Sequence, residues 1–161
     1  MKNNTILRQF RYIFDLSDEE MINLFAQAEM VVTKMEVCNW LKKEEEEEHK
    51  EITDPQLAAL LNGFINHKRG KRAGPQPAPE QKLNNNIIFR KLKIALNLKD
   101  TDIIEIYDYV GMVISKHEIS AIFRKPGQSQ YRDCKNQFLR NFLHGLQLKY
   151  RPEEEINKNY F

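Results

Sequence analysis

At 161 residues, with 41% hydrophobic and 30% charged residues, the chain has room for one ordinary domain or two small ones sharing a core, and enough apolar surface to fold rather than stay disordered. Its formal net charge is only +2, and no apolar run approaches the roughly 18 residues that a membrane-spanning helix needs, so no membrane partner is expected. The N-terminal Met1-Lys2-Asn3-Asn4 leads straight into an amphipathic pattern without a secretion signal. The two cysteines, Cys38 and Cys134, read as free thiols of a reducing compartment, and a cytoplasmic location follows as the expectation.

Displaced by 82 positions, residues 3–69 lie on residues 85–151 without a gap. Identical pairs include Asn3/Asn85, Asn4/Asn86, Arg8/Arg90, Asp18/Asp100, Val31/Val113, Lys34/Lys116, Glu36/Glu118 and Gly63/Gly145, and many other pairs are conservative, such as Val37/Ile119 and Phe25/Tyr107. One register kept over so long a stretch marks a tandem duplication. Neither cysteine belongs to the shared pattern, because Cys38 faces Ser120 and Cys134 faces Ile52. The expected organisation is a first helical repeat over 1–69, a linker over 70–82, a second repeat over 83–151 and a C-terminal tail over 152–161.

Taken in chain order, each repeat reads as four helices. The first has Ile6, Leu7, Phe10, Ile13 and Phe14 at helical spacing, matched by Ile88, Phe89, Leu92, Ala95 and Leu96, with the preceding Asn pair as its expected N-terminal cap. A second begins at the capping box Ser17-x-x-Glu20. The third begins at Thr33-x-x-Glu36 in one copy and at Ser115-x-x-Glu118 in the other, in each case just ahead of an apolar run. The fourth opens at Asp54-Pro55, read as an N-cap followed by proline at the first helical position, and runs through Leu57, Leu60, Leu61 and Phe64. Gly63 and Gly145 lie inside that helix, where glycine costs about 1 kcal/mol relative to alanine. Their recurrence predicts a close helix crossing. In residues 70–82, three prolines and two glycines exclude a helix and favour extended segments. The fold class is therefore all-α: two tandem repeats of about four helices, helix-turn-helix-like and packed on one another.

Catalysis would need a nucleophile with its base, paired carboxylates in a cleft, a metal-ligand cluster or a phosphate-binding loop. None is legible, and no cofactor or metal is expected. His49, His67, His117 and His144 have no metal-type spacing and read as surface or packing residues. Asp18, Asp100, Glu36 and Glu118 suit helix first turns, and residues 44–48, all glutamate, suit a solvated loop.

Nucleic-acid binding is the sharper possibility. The second and third helices, joined by a turn with the third opening at a Ser/Thr cap, look like the helix-turn-helix of repressor-type domains. On that analogy Lys34, Asn39, Lys42, Lys116, Ser120 and Arg124 lie on the exposed side of the candidate recognition helices, with Lys125 beside them. Three features weigh against it: the glycine of the second copy, Gly111, is Glu29 in the first, the stretch from it to Ile119 is longer than the usual motif spacing, and Glu36 and Glu118 bring acidic charge to a surface that would face phosphates. An ordinary helical hairpin packing its apolar face stays open as the competing reading. Charge is also unevenly shared. The first repeat holds 8 Lys and Arg against 13 Asp and Glu, a net of −5, and the second holds 12 against 6, a net of +6. The basic half suits phosphates, or equally the acidic half of another subunit. The cluster Lys68, Arg69, Lys71 and Arg72 at the start of the linker adds positive charge, or alternatively suits the end of a helix macrodipole.

The tandem Asn-Asn-x-x-x-Arg at 3–8 and 85–90, together with Trp40-Leu41-Lys42-Lys43-Glu44, Leu60-Leu61-Asn62-Gly63-Phe64-Ile65 and Phe138-Leu139-Arg140-Asn141-Phe142-Leu143-x-Gly145-Leu146, resembles the YehS-like family of bacterial proteins, a duplicated domain of unknown function. The resemblance implies a small cytoplasmic bacterial protein and brings no activity, cofactor or catalytic residue with it. The resulting expectation is a non-enzymatic binding protein with DNA or RNA as the favoured partner. The alternative is a protein-protein interaction module assembling through charged or apolar repeat surfaces, by self-association or with another protein. A small-molecule enzyme stands third.

Overall fold

The computed structural model describes residues 1–152. Among them are eight α-helices and no strand: α1 Asn3–Ile13, α2 Asp18–Gln27, α3 Lys34–Leu41, α4 Asp54–Arg69, α5 Asn85–Ala95, α6 Asp100–Asp108, α7 Lys116–Phe123 and α8 Asn136–Tyr150. Four fall in each sequence repeat. No described helix is long and apolar enough to cross a membrane. Beyond Pro152, the tail read from the sequence lies outside the described residues.

The chain condenses into two compact units, and the boundary is not the linker. The first unit is Met1–Leu96 and the second begins at Asn97, so α5, which opens the second sequence repeat, packs with the helices of the first. In the first unit α2 and α5 each pack along α4, and α1 packs on α3 and α4. Leu7, Phe25, Leu57, Leu60 and Phe64 are essentially removed from solvent there. Phe10, Phe14 and Phe64 form an aromatic cluster with ring centroids 4.8–5.1 Å apart. In the second unit α6 packs on α8 and on α7, burying Ile103, Ile106, Tyr107, Phe142 and Leu146. The Tyr107 hydroxyl, carried into this apolar core, donates to the Phe138 carbonyl at 2.7 Å.

The predicted close crossing occurs in both units. A Cβ added at Gly63 would lie 1.7 Å from the Leu24 carbonyl oxygen of α2, and one added at Gly145 would lie 2.4 Å from the Ile106 carbonyl oxygen of α6. These helices touch backbone to backbone, which only glycine permits.

The capping boxes at Ser17, Thr33 and Ser115 form as read. Three other starts differ. Asn3 and Asn4 lie inside α1, whose N-cap is Lys2 with no side-chain capping bond. Asn4 is instead a buried latch: its Nδ2 donates to the carbonyls of Trp40 and Lys50, both at 2.8 Å, and its Oδ1 accepts from Ile52 N–H at 3.2 Å. A short amide that satisfies three backbone groups in one place serves better there than at a solvated helix end. In α5 the cap is Asn84, whose side chain accepts from Ile87 N–H at 2.9 Å. The fourth helix starts one residue earlier than read, with Thr53 as N-cap of a Thr53-x-x-Gln56 box and Pro55 in the first turn.

Backbone conformation repeats even where residues change. Asp15 and Asn97 share φ 52°, Glu48 and Gln130 have φ 66° and 67°, and Glu29 (φ 62°) faces Gly111 (φ 74°). The duplication preserves turns as well as helices.

Candidate nucleic-acid interface and a cationic cleft

The twofold element α2–α3 and α6–α7 presents its third helix in a consistent way. The N-terminal turn stands out in solvent, with Lys34 and Lys116 opening α3 and α7 and both exposed. The identical residues just upstream, Val31 and Val113, are 92% and 94% exposed. Apolar side chains left in water at equivalent places in both repeats form no part of the core. Below this tip the helices turn inward through Val37 and Trp40 in one copy and Ile119 and Ile122 in the other, all buried.

Glu36 and Glu118 are each engaged at the start of their own helix. The Glu36 carboxylate accepts from Thr33 N–H at 3.0 Å, and the Glu118 carboxylate accepts from Ser115 N–H at 2.8 Å. Both are turned back on the positive end of their own helix, where a carboxylate is favoured.

Of the residues read from sequence as the exposed side of these helices, Lys34, Lys116 and Ser120 are exposed, as is Lys125 just beyond α7. Three others differ. Asn39 is half-buried, and its carbonyl accepts from Lys50 N–H at 3.1 Å. Lys42 and Arg124 are C-caps because each helix ends after eight residues, and both are half-buried. The Lys42 carbonyl accepts from Arg8 Nη1 at 3.1 Å and pairs with His49 Nδ1 at 2.8 Å. The Arg124 Nε is buried without a hydrogen-bond partner among the described residues.

The basic cluster that follows α4 divides. Lys68 lies over the Phe64 ring, 5.8 Å from its centroid, and Lys71 pairs with Glu29 at 3.5 Å. Arg69 and Arg72 turn into a cleft of about 590 Å³ in the first unit. Its walls are one face of α4 (Asn62, Ile65, Asn66, Arg69), one face of α5 (Ile87, Arg90, Lys91, Ile94), and the segment between them. Both helices contribute residues spaced i, i+3, i+4, i+7, the spacing of a single helical stripe. The third wall is pinned in place. Asn66 Nδ2 donates to Gln76 Oε1 at 2.9 Å, Gln76 Nε2 donates to the Arg72 carbonyl at 3.1 Å, and Glu80 pairs with Lys91 at 2.9 Å. The linker is thus a strap folded onto the helices it joins. Arg90 and Lys91 are recognisable in the sequence only as members of a basic half. What brings them to Arg69 and Arg72 is the α4–α5 contact, which no local pattern encodes.

Little here suits covalent chemistry. Cys134 is buried, and burial pushes its thiol up to about 12, away from the thiolate form. Cys38 is half-buried, with Sγ 3.6 Å from Asp18 Oδ2. Among the described residues no three His, Cys, Asp or Glu side chains come together as a metal site.

A duplicated four-helix unit with this order of caps and glycines defines the class of protein, and comparison with known families agrees. The profile of "Protein of unknown function (DUF1456)" matches residues 3–70 and again residues 85–151, so the chain belongs to that family as a tandem pair. It is 40% identical over 147 residues to "Uncharacterized protein YehS" of Escherichia coli (strain K12), covering 91% of this chain and 94% of that one. No solved structure matches.

Proposed function

We propose that this is a cytoplasmic bacterial protein that binds nucleic acid without catalysis, through the exposed N-terminal turns of α3 and α7. The observation that carries the reading is the pair of identical tips: Val31 with Lys34, and Val113 with Lys116, each valine more than nine-tenths exposed. A helix that enters a groove uses its N-terminal residues to reach base edges. A lysine there meets phosphate or guanine, and a small apolar side chain meets the thymine methyl. Both glutamates are held in capping bonds at their own helix starts, which fixes their carboxylates in place beside the two lysines.

The experiment is a fluorescence anisotropy titration with duplex and single-stranded oligonucleotides at two salt concentrations. Counterion release requires affinity to fall steeply as salt rises. Replacing Lys34 and Lys116 together by Glu should weaken binding at least tenfold and flatten the salt slope, with the circular dichroism spectrum unchanged. An absence of binding at low salt would end this reading.

A further inference from the structure

The cleft of the first unit has features that the nucleic-acid reading does not use. Arg69, Arg72, Arg90 and Lys91 line it against one carboxylate, Glu80, for a formal charge of +3. Lys91 is already occupied, by Glu80 at 2.9 Å and by Asn62 Oδ1 at 2.6 Å. The positive character available to a ligand therefore rests with the exposed guanidinium groups of Arg69 and Arg72, whose planar donors match the paired oxygens of phosphate or carboxylate. The amides at the cleft are largely engaged within the protein, Asn66 with the Gln27 carbonyl and Gln76, and Gln76 with Arg72. They fix the wall and leave recognition to charge and to apolar contact. Ile65, Ile87 and Ile94 supply the latter, and Ile94 is 46% exposed. A concavity of about 590 Å³ with an apolar lining and a few convergent polar groups is of the size that holds small organic ligands.

We infer that this cleft binds a small amphipathic anion, an organic phosphate or carboxylate whose charged end meets Arg69 and Arg72 and whose apolar body lies against the isoleucines. The inference stands apart from the proposed nucleic-acid surface, because Lys34 and Lys116 do not line the cleft. Occupation would bridge α4, α5 and the strap. It would therefore stabilise the packing of a helix from the second sequence repeat onto the first unit.

The test uses the full chain and 1-anilinonaphthalene-8-sulfonate, an apolar aromatic anion, followed by NMR of isoleucine methyl groups. Shifts should concentrate at Ile65, Ile87 and Ile94 and follow one saturation curve. Arg69→Gln combined with Arg72→Gln, at two exposed positions, should weaken binding at least tenfold while the melting temperature of the unliganded protein stays put. A separate Ile94→Glu variant should also lose binding, and Lys116→Gln should leave it unchanged. Shifts scattered over isoleucines outside the cleft, or equal affinity in the double-arginine variant, would overturn the inference. Either result would leave the oligonucleotide titration to be judged on its own.

Discussion

The two glycine crossings are the same device built to different tolerances. At Gly63 an added Cβ meets only backbone of α2, the Leu24 carbonyl oxygen at 1.7 Å and its carbon at 2.7 Å. At Gly145 the nearest atoms are the Ile106 carbonyl oxygen at 2.4 Å and the same residue's Cγ2 at 2.6 Å. In both copies the nearest obstacle is helix backbone that must move bodily, and at Gly145 it stands farther off, with the χ1-restricted Ile106 methyl beside it. A shared sequence position thus fixes the architecture without fixing how closely each copy realises it.

The largest effect should come from cutting the comparison short. A fragment of residues 1–72 keeps α1–α4 but removes α5, which packs along α4, whereas residues 1–96 hold the whole first unit. The longer fragment should unfold cooperatively as a monomer. The shorter one should give a broad thermal transition or self-associate, since so small a core is marginal. Equal transitions for the two would refute the role assigned to α5.

Next comes Gly63→Ala, expected to destabilise by about 3 kcal/mol or more in urea denaturation, with Gly145→Ala milder at about 2 kcal/mol. A reversed order would mean that α2 yields more readily than α6. Asn4→Ala leaves the Trp40 and Lys50 carbonyls and the Ile52 N–H without their partner and should remove about 2 kcal/mol.

The smallest effects test unequal caps. Ser17 completes a box with Glu20, but its counterpart Lys99 has no acceptor to offer, and only the Asp102 carboxylate contributes, accepting from Lys99 N–H at 2.7 Å. Lys99→Ser should therefore add about 1 kcal/mol, and Ser17→Ala should remove a similar amount. Glu29→Gly relieves a left-handed residue that the second copy solves with Gly111 and should stabilise by about 0.5 kcal/mol. In the Ser17 box the backbone and side chain of Ser17 hold the Glu20 carboxyl below its ordinary range. The folded value being depressed, that contribution is present above the unfolded pKa and fades as pH falls through the folded one. An NMR titration should show the Glu20 shift returning toward normal in the Ser17→Ala variant.

What was legible in the sequence was periodic or local. Thr33-x-x-Glu36 and Ser115-x-x-Glu118 carry their whole geometry within four residues, and Gly63 and Gly145 stand out because nothing local excuses glycine there. The Asn pair misled because its partners are remote: Asn4 bonds to Trp40, Lys50 and Ile52, 36 to 48 residues away, and Asn3 to Ile52 and Asp54, 49 and 51 residues away. Asp54-Pro55 obscured the true cap at Thr53 because three successive residues are all plausible at a helix start. Lys34 and Lys116 were readable as exposed from the cap alone. Lys42 and Arg124 were not, because their burial depends on where α3 and α7 stop. The cleft escaped for a deeper reason: Arg69 and Arg90 are joined across a proline-rich segment that, read alone, implies separation rather than apposition.

The placement of α5 also bears on what a protease would do to this protein. A single nick in the strap severs the polypeptide between its sequence repeats, yet the packing of α5 against α4 crosses that point. The two pieces should stay together as a non-covalent pair and come apart only on dilution or denaturation. Mixing peptides 1–72 and 83–161 should accordingly rebuild the native helical signal, which makes the strap a natural place to split the chain into complementing halves.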